Sequence, residues 1–124
     1  MSGLALPAAA ICRAAAGRNI LSLVDGAQTF GMMHLDLHAL GCDVFTGSAH
    51  KWLAGPHETG VLYVRSSRIA GLWPSMVTHD WEVMRKAGAR KFECLGQRQY
   101  ARLEALHTAV SARETIGHAR GEQR

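Results

Sequence analysis

The sequence predicts an α/β fold, a mostly parallel sheet with flanking helices, and three observations predict it. Segments with helical spacing of apolar residues alternate with short apolar runs. The helical segments are closed by glycines. The apolar runs hold too few polar residues to be half-exposed, as expected of strands covered on both faces.

The elements follow in order. Pro7 suits a first helical turn, and Ala8 to Ala16 is alanine-rich with Ile11 and Ala15 four apart, so a helix is expected there, stopped by Gly17. Asn19 to Val24 reads as a buried strand ending at Asp25-Gly26. Leu35, Leu37 and Leu40 mark a short helix closed by Gly41, and Asp43 to Gly47 reads as the next strand. His50 to His57 is a loop with Gly55-Pro56 as its turn signal. Thr59 to Val64 is a third strand, for which an antiparallel direction is left open. Arg65 to Ala87 reads as irregular, broken by Pro74. Gln97 to about Ile116 carries Tyr100, Leu103, Leu106 and Val110 at spacings of three and four, the pattern of an amphipathic helix. Three strands make a small sheet, and nothing obvious covers its second face.

With 124 residues, 48% of them hydrophobic and 19% charged, the chain suits one globular domain. The net charge of +4 is modest. Much of it lies in Arg85, Lys86, Arg90, Lys91, Arg98 and Arg102, which read as a solvated helix face, since no nucleic-acid motif accompanies them. Cys12, Cys42 and Cys94 form no CxxC pair, which leaves zinc knuckles and thioredoxin-like motifs unsupported. Cys94 reads as a small, partly buried residue. His34 and His38 are four apart but lack a third ligand, so no metal is expected. The apolar stretch from Leu4 to Cys12 is too short to cross a membrane and has no basic leader. A cytoplasmic protein with reduced cysteines, binding neither nucleic acid nor membrane, is the expectation. The tryptophans Trp52, Trp73 and Trp81 read as packing residues.

Two strand ends hold unusual polar residues: Val24-Asp25-Gly26-Ala27-Gln28 and Thr46-Gly47-Ser48-Ala49-His50-Lys51-Trp52. In open α/β sheets, ligands bind outside the carboxyl ends of the strands. If the strands are parallel neighbours, Asp25, Ser48, His50 and Lys51 reach one crevice. A carboxylate there holds a proton on a ring nitrogen, and a hydroxyl and an imidazole donate to a phosphate. A lysine partly desolvated near other cations becomes a usable amine nucleophile. Pyridoxal phosphate (PLP), with its aldehyde, phosphate and pyridine nitrogen, asks for these functions.

These two motifs, with Leu35-Asp36-Leu37, Gly41-Cys42-Asp43 and the continuation Leu53-Ala54-Gly55-Pro56, closely resemble the class V aminotransferase family of fold-type I PLP enzymes. That family includes cysteine desulfurases, selenocysteine lyases, kynureninases and isopenicillin N epimerase-like proteins. The likeness runs from about Gly3 to Val64 and resumes at Arg90-Lys91-Phe92-Glu93. Phe92 to Arg98 looks more like the epimerase-like branch.

The resemblance implies a partial PLP-binding large domain over residues 1–124, with the last helix, about 97–117, leading toward a C-terminal domain. It implies that Lys51 forms a Schiff base with PLP and then acts as general acid and base at the substrate α-carbon. Asp25 would pair with the pyridinium nitrogen, Gln28 with the ring 3-oxygen, and Ser48 and His50 with the phosphate. Gln97 stands where relatives often place a threonine near the neighbouring subunit's phosphate. An amino-acid substrate and a homodimer are implied as partners, with transaminase, lyase or epimerase chemistry. Relatives also have a phosphate-cradling loop, an aromatic residue that stacks on the ring, and a C-terminal domain with a carboxylate-gripping arginine; none has a counterpart here. The pair His57-Glu58 replaces a usually small or glycine-containing pair. The chain amounts to roughly a third of a typical enzyme of the family. A non-catalytic remnant, or a subunit completed by another chain, is the alternative expectation.

Overall fold

The computed structural model describes residues 3–77, 79–93, 96–97 and 99–117. Its centre is a three-stranded sheet in the order β1-β2-β3, formed by Leu23–Asp25, Val44–Ser48 and Gly60–Val64. β1 runs parallel to β2, with Leu23 opposite Val44 and Asp25 opposite Thr46. β3 returns antiparallel, with Val44 opposite Val64 and Ser48 opposite Gly60. The sheet is therefore mixed, and the direction left open for the third strand is antiparallel.

Side chains alternate across the sheet, so the register assigns each face. Val24, Phe45 and Tyr63 share one face. There Phe45 is buried with Cys12 and Cys42, and Val24, Phe30, Leu35, Leu37, Leu40 and Tyr63 pack around them. Cys12 comes from α1, Ala8–Ala16, and Leu37 and Leu40 from α2, Leu37–Leu40. Burial pushes the Cys42 thiol above its ordinary value, and the Cys12 thiol beside it adds to the effect.

The helix ends match the expected signals, with refinements. α1 stops at Gly17, but the left-handed residue that turns the chain is Asn19, at φ 54°. α2 is capped by the Asp36 carboxylate, which accepts from His38 N at 2.9 Å and Ala39 N at 3.0 Å. Those bonds, that to Ala39 foremost, hold the Asp36 carboxyl below its ordinary value. Gly41 closes the helix at φ 74°. Leu35 and His34 precede the cap, so the two histidines do not share a helix face; His38 lies edge-on to Tyr63.

Three expectations need correction. The first strand has three residues, not six. Arg18, Asn19 and Ile20 spend their N–H groups on Ala15 and Ala16 carbonyls at the end of α1, so the chain is free to pair only later. Ile20 and Leu21 remain exposed, and Leu23 is 60% exposed. The irregular region contains one-turn helices, α3 (Ser66–Ile69) and α4 (Trp81–Met84), followed by a 3₁₀ turn over Gly88–Phe92. The last helix, α5, spans Tyr100–Ile116, yet none of its residues is buried. Tyr100, Leu103 and Val110 are exposed, and only Leu106 of the expected stripe is half-buried.

The basic residues do not form one helix face either. Arg85 pairs with Glu82, Arg90 with Glu93, and Arg102 with Glu58. Lys91 is buried, its ammonium donating to Ile69 O and lying 5.2 Å from the Phe92 ring centre. Arg98 and Cys94 lie outside the described residues. Trp73 and Trp81 stack with ring centres 4.9 Å apart. No helix among the described residues is long and apolar enough to cross a membrane.

The second sheet face carries Leu23, Val44, Leu62 and Val64. The segment around Trp73 and Met76, with Phe92, roofs it incompletely and leaves a groove of about 350 Å³.

One buried carboxylate organises the amino end of the sheet. Asp43 is 5% exposed. Its Oδ2 accepts from Ser22 N at 2.9 Å and Ser22 Oγ at 3.2 Å, and its Oδ1 accepts from Arg68 Nε at 2.8 Å. Arg65 Nε lies 3.6 Å from the same Oδ1. The Arg68 hydrogen bond, then that from Ser22, hold this carboxyl below its ordinary value. Replacing Asp43 with Ala leaves these donors unanswered and should cost about 2–3 kcal/mol, less than a fully buried pair would because both arginines touch water. Because the folded value is lowered, this stabilisation is complete above the ordinary value of 3.8 and disappears as pH falls through the folded value. Urea unfolding of wild type and Asp43→Ala should show the gap at pH 7 and its closure in acid.

Candidate active site

The parallel pairing of β1 and β2 puts their carboxyl ends side by side. Asp25 is the last residue of β1 and lies opposite Thr46; Ser48, two residues on, ends β2. By alternation, Asp25, Thr46 and Ser48 share the second sheet face. His50 and Lys51 follow at once in the turn after β2. The strand ends expected to carry these residues therefore lie side by side.

Each member is set by local structure. Asp25 Oδ1 accepts from Ala27 N at 2.9 Å, which anchors the carboxylate on its own turn. Gly26 extends the ladder by donating to Thr46 O at 2.8 Å, and its carbonyl accepts from Thr29 and Phe30. A Cβ at Gly26 would lie 2.1 Å from the Phe45 ring, so only glycine lets the turn sit on the core. Gly31, at φ 80°, plays the same part under the lysine loop, where a Cβ would come within 2.6 Å of Leu53 N. Ser48 is half-buried, and Ala49 beside it is fully buried. His50 and His57 stack loosely, ring centres 6.0 Å apart.

Lys51 is exposed. The partial burial expected of it is therefore not found. Its neighbour Trp52 does more than pack. The indole Nε1 donates to Gln28 Oε1 at 3.2 Å, which fixes the amide oxygen as the acceptor and leaves the amide nitrogen as the donor. Sequence reasoning missed this link. The 24-residue separation hides it, although the adjacency of Trp52 to Lys51 was a usable signal.

Gln97 lies elsewhere. It lines a cleft of about 830 Å³ between the start of β3 and α5, with Glu58, Arg102, Leu103 and Leu106.

Comparison with known proteins gives this arrangement a family. Residues 1–87 match the family model described as "Aminotransferase class-V". The chain is 34% identical to an isopenicillin N epimerase from Amycolatopsis lactamdurans over 99% of its own length and 34% of the relative's. It is 33% identical to the isopenicillin N epimerase of Streptomyces clavuligerus, over 94% of this chain and 32% of that one. In fold it resembles the apo structure of a cysteine desulfurase from Thermococcus onnurineus NA1, with a TM-score of 0.80 over 94% of this chain and 31% of the other, at 24% identity. The chain belongs to the class V aminotransferase family. It spans about a third of the length of these curated relatives.

The family is PLP-dependent, and the groups carried at these strand ends suit that cofactor: a carboxylate acceptor, an amide, a hydroxyl, an imidazole and a primary amine. The close packing at Gly26 is directly testable. Gly26→Ala should destabilise the chain by about 1–3 kcal/mol, as overpacking does. Gly17→Ala, where a Cβ meets its nearest atom at an ordinary 3.6 Å, should change stability by less than about 1 kcal/mol. Thermal unfolding of both variants checks the contrast.

Proposed function

We propose that this chain carries the PLP-binding core of an enzyme acting on an amino acid, with Lys51 as its reactive amine. The single observation that supports this best is the gathering of Asp25, Ser48, His50 and Lys51 at the carboxyl ends of two adjacent parallel strands. Bound PLP supplies an electron sink for negative charge at the substrate α-carbon. The chain's own residues do the rest. Lys51 would hold the group through its amine, water leaving from the aldehyde carbon, and would hold or deliver a proton at the substrate α-carbon. The Asp25 carboxylate would accept a hydrogen bond from the protonated ring nitrogen and so keep the ring cationic. Ser48 Oγ and His50 would donate to the phosphate, and the Gln28 amide would donate to the ring 3-oxygen.

The reaction is one of transamination, elimination or epimerisation, and the epimerase-like sequence around Phe92-Glu93 supports the last of these. The exposed Leu21, Leu23 and Leu62 support completion of the sheet by further polypeptide, and the family likeness supports a homodimer.

The test is incubation with PLP, borohydride reduction and peptide mass analysis. Lys51 should be modified, and Lys51→Ala should lose the label. Asp25→Ala should weaken PLP binding about tenfold or more, the loss expected for one charge-assisted hydrogen bond. Labelling of Lys86 or Lys91 in place of Lys51 would overturn the assignment.

A further inference from the structure

The segment that carries Lys51 leaves β2 at Ser48, returns to β3 at Gly60, and is closed upon itself. Ala54 N donates to Lys51 O at 3.1 Å, Gly55 N to Ala49 O at 2.8 Å, and Ala49 N to Thr59 O at 3.0 Å. Thr59 Oγ1 donates to Pro56 O at 2.6 Å, and Leu53 is buried beneath the loop. Two residues of this loop that carry a Cβ adopt left-handed backbone: Ala54 at φ 59° and Glu58 at φ 62°. Such residues persist where their surroundings hold them, and they gather at functional sites. Ala54 is held by the loop's own hydrogen bonds. Glu58, at the loop exit, is instead tied to another element, since its carboxylate accepts from Arg102 Nη1 in the first turns of α5. That bond, above all, holds the Glu58 carboxyl below its ordinary value, so it is ionised at neutral pH. Glu58 is also half of the pair that departs from the family's usual small residues.

We propose that the Glu58–Arg102 ion pair is a positioning clamp, through which α5 holds the exit of the lysine loop and thereby fixes where Lys51 stands relative to Asp25 and Ser48. Both are positioning residues, and neither touches the reacting atoms. The role assigned to Lys51 rests on the PLP reading above; the clamp on the loop does not. The effect is modest, because the two side chains are 74% and 40% exposed and water screens them.

Two measurements test it on the whole chain: hydrogen exchange of a peptide covering residues 49–59, and the rate of borohydride-trapped PLP attachment at Lys51. Arg102→Met and Glu58→Gln should each speed loop exchange about two- to five-fold, the scale of one partly exposed ion pair. Each should slow attachment by a similar factor. High salt should reproduce both effects in the wild type and add nothing in the variants. The charge-reversed double variant Glu58→Arg/Arg102→Glu should recover most of both. Unchanged exchange in the single variants, or no recovery in the double, would remove the clamp. Faster exchange with unchanged attachment would reduce the pair to a structural tie and overturn its positioning role. If wild-type Lys51 takes up no PLP at all, the cofactor reading fails, while the exchange arm still decides the clamp.

Discussion

The fold depends on the buried Asp43 carboxylate. It sits just ahead of β2 and gathers the segments that flank the central strand. Ser22, one residue before β1, is held by its N–H and its hydroxyl, and returns the favour by accepting from Asp43 N through Oγ at 3.1 Å. On the other side Arg65 N donates to Asp43 O at 2.8 Å just past β3, and the Arg65 side chain donates to Cys42 O. A buried carboxylate is costly unless its lone pairs are filled, and here three donors fill them, with the Arg65 charge nearby. The consequence is register. A slip of one residue would turn every side chain to the opposite face, and Asp25 would leave the face it shares with Ser48. The carboxylate at one end of the sheet therefore governs which polar groups meet at the other.

Close packing completes the placement. Gly26 lets the turn after β1 rest on Phe45, and Gly31 lets the next turn rest on Leu53. The lysine loop is in this way seated from below, with Leu53 buried and Lys51 on its outer side. Trp52 joins the two motifs by its bond to Gln28. A ligand that needs a carboxylate and an amine from different segments can be held only if those segments are fixed to each other first.

The two sheet faces differ in kind. One is packed by α1 and α2 around Phe45, Cys12 and Cys42. The other keeps a groove beside the exposed Leu23 and Leu62, and Trp73 is 69% exposed above it. α5 lies along β3 across an open cleft, joined to the loop through Arg102 and Glu58.

Much of this was legible in the residues themselves. Gly17 and Gly41 mark helix ends because backbone geometry is local. The apolar run around Val44-Phe45 is a strand because β2 is central and covered. Asp25, Ser48, His50 and Lys51 were recognisable because strand ends in α/β folds concentrate ligand groups, and their order and spacing are properties of the chain. Other features are set by contacts between distant segments. β1 is short because Asn19 and Ile20 are taken up by the end of α1. α5 keeps its helix but buries little, because spacing sets a stripe while only a neighbour can cover it. Lys51 is exposed because burial depends on walls that sequence order does not supply. The sequence by itself determined the two longer helices, the strands' approximate places and which chemical groups the strand ends carry, since these follow from local preference and pattern. The tertiary structure alone decided that β3 runs antiparallel, that Asp43 locks the register, that Trp52 orients Gln28 and that Arg102 grips Glu58. Each of these joins residues about twelve or more positions apart, and only packing of the folded chain brings such residues within a few ångströms.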